Sequence, residues 1–207
     1  NTIALATGIA DEAARIGWPP IEAQALFRLG QLQQRTGAAA ASAATFETAM
    51  QSAAEARDDI LLLRAGAQRV FVLGYHLGRP AQALRLAMVL DSVLTRAGDD
   101  PAVRAELLGR VGAVLTYQGA YGEAEDYIAR ALPLYVRALG PDRPEVAMLH
   151  NNLAIVLEYE GRPDEAEVHY RQGLEIYDRT LGPQHPKTAT LRSNLGESFR
   201  SLGSSAP

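Results

Sequence analysis

Three arginines, Arg28, Arg69 and Arg110, recur at intervals of 41 residues, and two asparagines, Asn152 and Asn194, continue the series at intervals of 42. A guanidinium offers a carboxylate or a phosphate a planar fork of donors. An asparagine amide donates and accepts at once, so it can clamp a peptide backbone. Seven residues after each member of this column comes a second one: Arg35, His76, Tyr117, Tyr159 and Ser201. Its tyrosines combine a large contact area with a polar tip. A third column, three residues after the first, reads Gln31, Val72, Ala113, Ile155 and Glu197. Its small and apolar members leave a floor on which a ligand side chain could bury surface. Glu106 stands four residues before Arg110 and would partly neutralise it on a helix. The competing reading of the arginines is a solvated stripe paired across repeats. For the tyrosines it is packing between helices near a turn.

Other chemistry is excluded or discounted. There is no cysteine, so thiolate metal sites, disulfides and cysteine nucleophiles are ruled out. Glu165 and His169 share a helical face, with Glu167 between them, but a metal needs more ligands. A solvent-facing charged helix is the expectation there, and His150 is expected to pack in a core. No nucleophile elbow occurs. We expect no enzyme, no cofactor and no metal. The chain has 207 residues, 47% of them hydrophobic and 21% charged, which suits a folded protein. A net charge of -4 gives no bulk attraction to nucleic acid. No apolar run reaches the roughly 18 to 20 residues of a membrane span. The chain opens on Asn1 without a signal-peptide pattern, as a fragment or a processed form would.

The elements that must position the columns are repeated helix pairs. Gly37, Gly78, Gly119, Gly161 and Gly203 follow one another at 41, 41, 42 and 42 residues, each ending a stretch of helical periodicity. Glycine takes the left-handed cap conformation at little cost. Five residues after the first four stand Ser42, Ala83, Ala124 and Ala166, small enough for two helices to approach closely. Pro144 and Pro163 suit first helical turns. Asp58-Asp59 and Asp99-Asp100 suit the caps of helices. The pairs are expected at 20–36/39–56, 58–77/80–97, 102–118/121–139 and 144–160/163–181. A lone helix is expected at each end, at 2–16 and 186–202. No alternating strand pattern is evident.

This pattern resembles the tetratricopeptide repeat. With Gly161 at the turn, its signature falls on Leu153, Ala154, Leu157, Ala166, Tyr170 and Gly173, and one repeat earlier on Val111, Gly112, Leu115, Ala124, Ile128 and Ala131. The period of about 42, with "NNLA", "EAE" and "LGPQHP", is similar to the long repeats of the kinesin light chain type. Phe71 and Gly74 depart from the pattern in the second repeat. The first half, with "ALFRLGQLQQRTG" and "VLGYHLGRPAQALRLA", resembles the repeat region of bacterial Ser/Thr kinases. No kinase motif is present, so a parent's catalytic part would lie outside this chain.

The resemblance implies an all-α, right-handed α-solenoid of about ten helices. It would form one domain over 1–203: an N-terminal helix and turn at 1–19, repeats at 20–57, 58–98, 99–140 and 141–182, and a lone helix at 183–203. A flexible tail would follow at 204–207. In this family the first helix of each pair lines the concave face. A groove of Arg28, Gln31, Arg35, Arg69, Val72, His76, Arg110, Tyr117, Asn152, Ile155, Tyr159 and Asn194 is therefore expected. The implied function is non-catalytic binding of a protein or peptide partner, acidic in character. The alternative is self-association, a homodimer through Leu191, Leu195, Phe199 and Leu202 of the C-terminal helix. No nucleic acid and no membrane insertion are expected. A cytoplasmic location is expected, or the extracytoplasmic side of a membrane-anchored parent.

Overall fold

The computed structural model describes residues 2–204, with side chains up to residue 200. Ten α-helices follow one another: α1 (Thr2–Ile16), α2 (Pro19–Arg35), α3 (Ala39–Glu55), α4 (Asp59–Phe71), α5 (Pro80–Arg96), α6 (Pro101–Gln118), α7 (Tyr121–Leu139), α8 (Pro144–Tyr159), α9 (Pro163–Thr180) and α10 (Pro186–Ser204). A π-helical turn, Val72–His76, extends α4. No strand occurs among the described residues. Counting the π turn as the end of α4, the helix ends lie within two residues of the expected ones because local chemistry sets them. Asp58 accepts from the Leu61 amide at 2.9 Å, and Asp100 from the amides of Ala102 and Val103 at 2.9 and 3.0 Å. Gly119, at φ 78°, takes the left-handed conformation that closes α6.

The helices pair as α2/α3, α4/α5, α6/α7 and α8/α9, with α1 packed on α2 and α10 on α9. One apolar core runs unbroken from Ala23 to Leu195. Small residues make the seams. A Cβ placed on Gly112 would lie 2.6 Å from Ile128 Cγ1, and one on Gly30 2.8 Å from the Phe46 ring. The Ser42 hydroxyl, in the same seam, donates to the Gly30 carbonyl at 2.9 Å. The result is an α-solenoid.

Two features depart from expectation. The first helix of the second pair ends in a π turn, in which the Leu77 amide reaches back five residues to the Val72 carbonyl at 3.0 Å. Asp58 and Gly78 are 20 residues apart, whereas Asp100 and Gly119 are 19 apart. The wider turn absorbs the extra residue between cap and terminating glycine. At the other end, Leu191 and Leu195 are buried against α9, so among the described residues of the expected apolar face only Phe199 is exposed. The side chains of Ser201 and Leu202, and residues 205–207 of the expected tail, lie outside the described region.

Candidate binding groove

The first helices of successive pairs line a groove. Its central cavity, of about 510 Å³, lies among α4 and its π turn, α6, α8 and α10, with Tyr121 from the start of α7. Six of the expected residues meet there: Arg110, Tyr117, Asn152, Ile155, Tyr159 and Asn194. A neighbouring cavity of about 550 Å³ shares Arg110 and Met148 with the first and includes Gln31.

The second pair presents different residues from those expected. Arg69 turns towards α3, where its guanidinium meets Glu47 at 2.6 Å. Val72 is fully buried in the core. Their places in the groove go to Gln68 and Phe71, and the place of His76 goes to Tyr75. The cause is the extra residue. Counted from the capping aspartates, Gln68 matches Arg110, Phe71 matches Ala113 and Tyr75 matches Tyr117. Counting back from the glycines instead crosses the π turn and slips by one residue, which is 100° of helix. The unequal distance between cap and glycine was the signal in the sequence. His76 is exposed and lines neither cavity. It stands edge-on to Phe71 and Tyr75, with ring centroids 5.3 and 5.2 Å away, and partial burial lowers its pKa. Arg35, at the exposed end of α2, lines neither cavity either.

The groove's walls differ in chemistry. Tyr75, Tyr117 and Tyr159 are 45%, 59% and 65% exposed. Phe71 and Tyr75 stack at 5.0 Å, Tyr75 meets Tyr117 at 5.3 Å, and Tyr159 stacks on Tyr121 at 4.8 Å. These contacts hold the rings in place while leaving faces open. Across the groove Asn194 donates to Asn151 at 2.9 Å, and the Asn151 amide lies 3.5 Å from the Asn152 oxygen. The Arg110 guanidinium sits 5.0 Å over the Phe71 ring. Its closest approach to Glu106 is 3.9 Å, and its buried Nε has no partner. Glu106 is shared: it accepts from Gln68 at 2.7 Å and faces Arg64 at 3.6 Å. Arg28 is exposed and donates to Gln31 at 3.2 Å. Like Arg35 it lines neither cavity, so of the basic column Arg110 alone lies in them, with Arg64, Arg143 and Lys187 added by the neighbouring cavity.

The remaining histidines are structural in position. His150 and His169 bring their Nδ1 atoms to 3.0 Å between α8 and α9, one donating and the other accepting. His169 is thus half-buried, not part of a wholly solvent-facing surface as expected. Burial, reinforced by His169, lowers the His150 pKa to about 4. Glu165 pairs with Arg162 and Glu167 with Arg171, both at 2.7 Å. His185 Nδ1 accepts from the Lys187 amide at 3.2 Å, capping α10. Among the described residues no group of three or more His, Asp or Glu is arranged to hold a metal. None of the described helices is long and apolar enough to cross a membrane.

The fold has known counterparts. BtubC (BKLC) from P. vanneervenii superposes with a TM-score of 0.77 at 22% identity, covering 97% of this chain and 83% of that one. A Podosopora anserina putative kinesin light chain protein of nearly identical TPR-like repeats gives 0.64 at 16% identity, over 88% and 87% of the two chains. The apo form of RapI gives 0.64 at 15% identity, over 89% of this chain and 50% of that one. A comparison with curated protein sequences gives no match. The sequence profile described as Tetratricopeptide repeat matches residues 103–179 and 145–206, together half of the chain. The paired helices, the small-residue seams and this match agree: the chain belongs to the tetratricopeptide repeat family, a family of protein–protein interaction modules.

Proposed function

We propose that the groove along α4, α6, α8 and α10 binds a segment of a partner protein, in extended or helical form and acidic in character. The observation that carries this reading is the facing of three exposed tyrosines by an amide ladder across one cavity. Tyrosine faces supply contact area with little rotamer entropy to lose, and amides can pair with a ligand's backbone. Arg110 supports the preference for acid, since it lines both cavities and its closest approach to Glu106 is 3.9 Å. The stacked rings are already ordered, which lowers the cost of binding. The likeness of the first half to kinase-linked repeats suits a regulatory segment of a bacterial signalling protein.

Paired baits test this. One carries the native sequence and the other combines Arg110→Glu, Tyr117→Ala and Asn152→Ala, with helicity checked by circular dichroism. Partners held by the first and lost by the second support the groove. Equal retention by both would refute it. Arg69→Glu serves as the control that retains them.

A further inference from the structure

The cavity among α4, α6, α8 and α10 is lined by rings and hydrogen-bond donors, and no aspartate or glutamate lines it. Its polar side chains are tyrosine phenols, asparagine amides, two threonine hydroxyls and the Arg110 guanidinium. The threonines are spent on their own helices: Thr116 donates to the Gly112 carbonyl at 2.8 Å and Thr190 to the Pro186 carbonyl at 3.0 Å. The amides run in one direction, from Asn194 to Asn151 and on to Asn152, whose oxygen is the acceptor. The Asn152 NH2 is therefore the end that this chain of amides turns to the cavity.

A ligand that suits such a lining brings acceptors and few donors. An extended strand carries one N–H for every carbonyl, and those amides would meet no carboxylate here. A helix keeps its carbonyls for itself, so the groove's donors would go unmatched. A proline-rich segment has carbonyls without N–H groups. It holds the polyproline II form, which makes no internal hydrogen bonds and docks in grooves lined by aromatic rings.

The rings have the matching period. Tyr75, Tyr117 and Tyr159 recur at intervals of 42 residues, one in each of three successive repeats, and their first helices pack side by side. Packed helices lie about 8–10 Å apart, and one polyproline turn of three residues advances about 9 Å. A proline at every third position thus meets one tyrosine per repeat. Tyr75 keeps one face on Phe71 and Tyr159 one face on Tyr121, so the rings are ordered and still exposed. Arg110 stands two helical turns before Tyr117 on the same face of α6 and lines both cavities.

We infer that the groove takes a proline-rich segment in the polyproline II form. Its prolines sit on Tyr75, Tyr117 and Tyr159, its carbonyls accept from Asn152 and the phenols, and an acidic residue between prolines faces Arg110. This rests on the groove reading and narrows it to one backbone form, setting the helical form aside.

Fluorescence anisotropy with two labelled peptides tests it: four repeats of Pro-Pro-Glu, and four repeats of Ala-Ala-Glu with the same length and charge. The native chain is expected to bind the proline peptide at least tenfold more tightly than the alanine peptide. Tyr117→Ala should weaken that binding at least tenfold, while Tyr117→Phe, which keeps the ring, should retain most of it. Arg110→Gln should weaken it and reduce its dependence on salt. Equal affinity for the two peptides would overturn the inference, and so would proline binding that Tyr117→Ala leaves unchanged. Competition against a partner captured by the paired baits separates the two readings. A partner lost with the groove variant but not displaced by the proline peptide sinks the polyproline form and leaves the groove standing. Equal retention by both baits sinks the groove itself.

Discussion

Arg69 and Arg110 stand nine residues before the terminating glycine of successive repeats, yet they serve different sides of the solenoid. Arg110 lies in the groove over Phe71, while Arg69 reaches Glu47 on α3. The second repeat holds one residue more between cap and glycine, and the π turn takes it up. In the second repeat, which side chains face the groove follows the distance from the cap. The period of the sequence and the period of the faces are separate quantities wherever a helix changes its winding. A π turn at such a place often accompanies a functional surface, and here Tyr75, within it, lines the cavity beside Phe71.

The sharpest way to break the comparison is to crowd the seams. A Cβ on Gly74 in the π turn would lie 2.4 Å from Val114, and one on Gly112 2.6 Å from Ile128. Replacing either glycine with leucine should cost about 1–3 kcal/mol or more by overpacking, despite better helix propensity. Urea denaturation measures this, and a tolerant Gly74 would mean that the π turn is not wedged against α6. Next is partner binding. Arg110→Ala should weaken a groove ligand by about 1.5–3 kcal/mol, the range for hydrogen bonds to charged groups, and Arg69→Ala should leave it unchanged. Calorimetry with a captured partner separates the two. The exchange Gln68→Arg with Arg69→Gln moves the guanidinium into register and should raise affinity for an acidic ligand.

The fourth repeat adds a contrast in pH. His150 is held neutral, with a pKa near 4 against an ordinary 6.5. Between those values the unfolded chain binds more protons, so stability rises with pH across that window and the contribution is complete above it. Thermal melts from pH 4 to 7 should show that rise, and His150→Asn should flatten it. The smallest effect is expected at the Arg69 pair. Glu47 is about half exposed, so Arg69→Ala should cost less than about 1 kcal/mol of stability. A larger loss would show that the aliphatic stem of Arg69 packs more than its charge pairs.

Much of this was legible in the residues. The glycines, prolines and capping aspartates act within a few positions of themselves, so they marked the helices before any packing was known. The small residues at Ser42, Ala83, Ala124 and Ala166 announced close seams. In the third and fourth repeats the groove column fell at Arg110, Tyr117, Asn152, Ile155 and Tyr159, where the first helix is α-helical throughout. It slipped at Arg69, Val72 and His76, in the repeat whose first helix ends in the π turn. Leu191 and Leu195 were read as open because their own second helix is missing, whereas the preceding helix α9 already covers them.

Periodicity and local capping energies are properties of the chain alone, and they determined the helices and their pairing, while the solenoid was what the family resemblance implied. Orientation about each helix axis required the tertiary structure. A single residue's change between α and π winding rotates every side chain beyond it, and here the π turn seats Gly74 against Val114, where a Cβ would lie 2.4 Å away. The same holds for Glu106, which the sequence offered as a partner for Arg110. Only the assembled groove gives it Gln68 and Arg64 as well, leaving part of the Arg110 guanidinium without a protein acceptor.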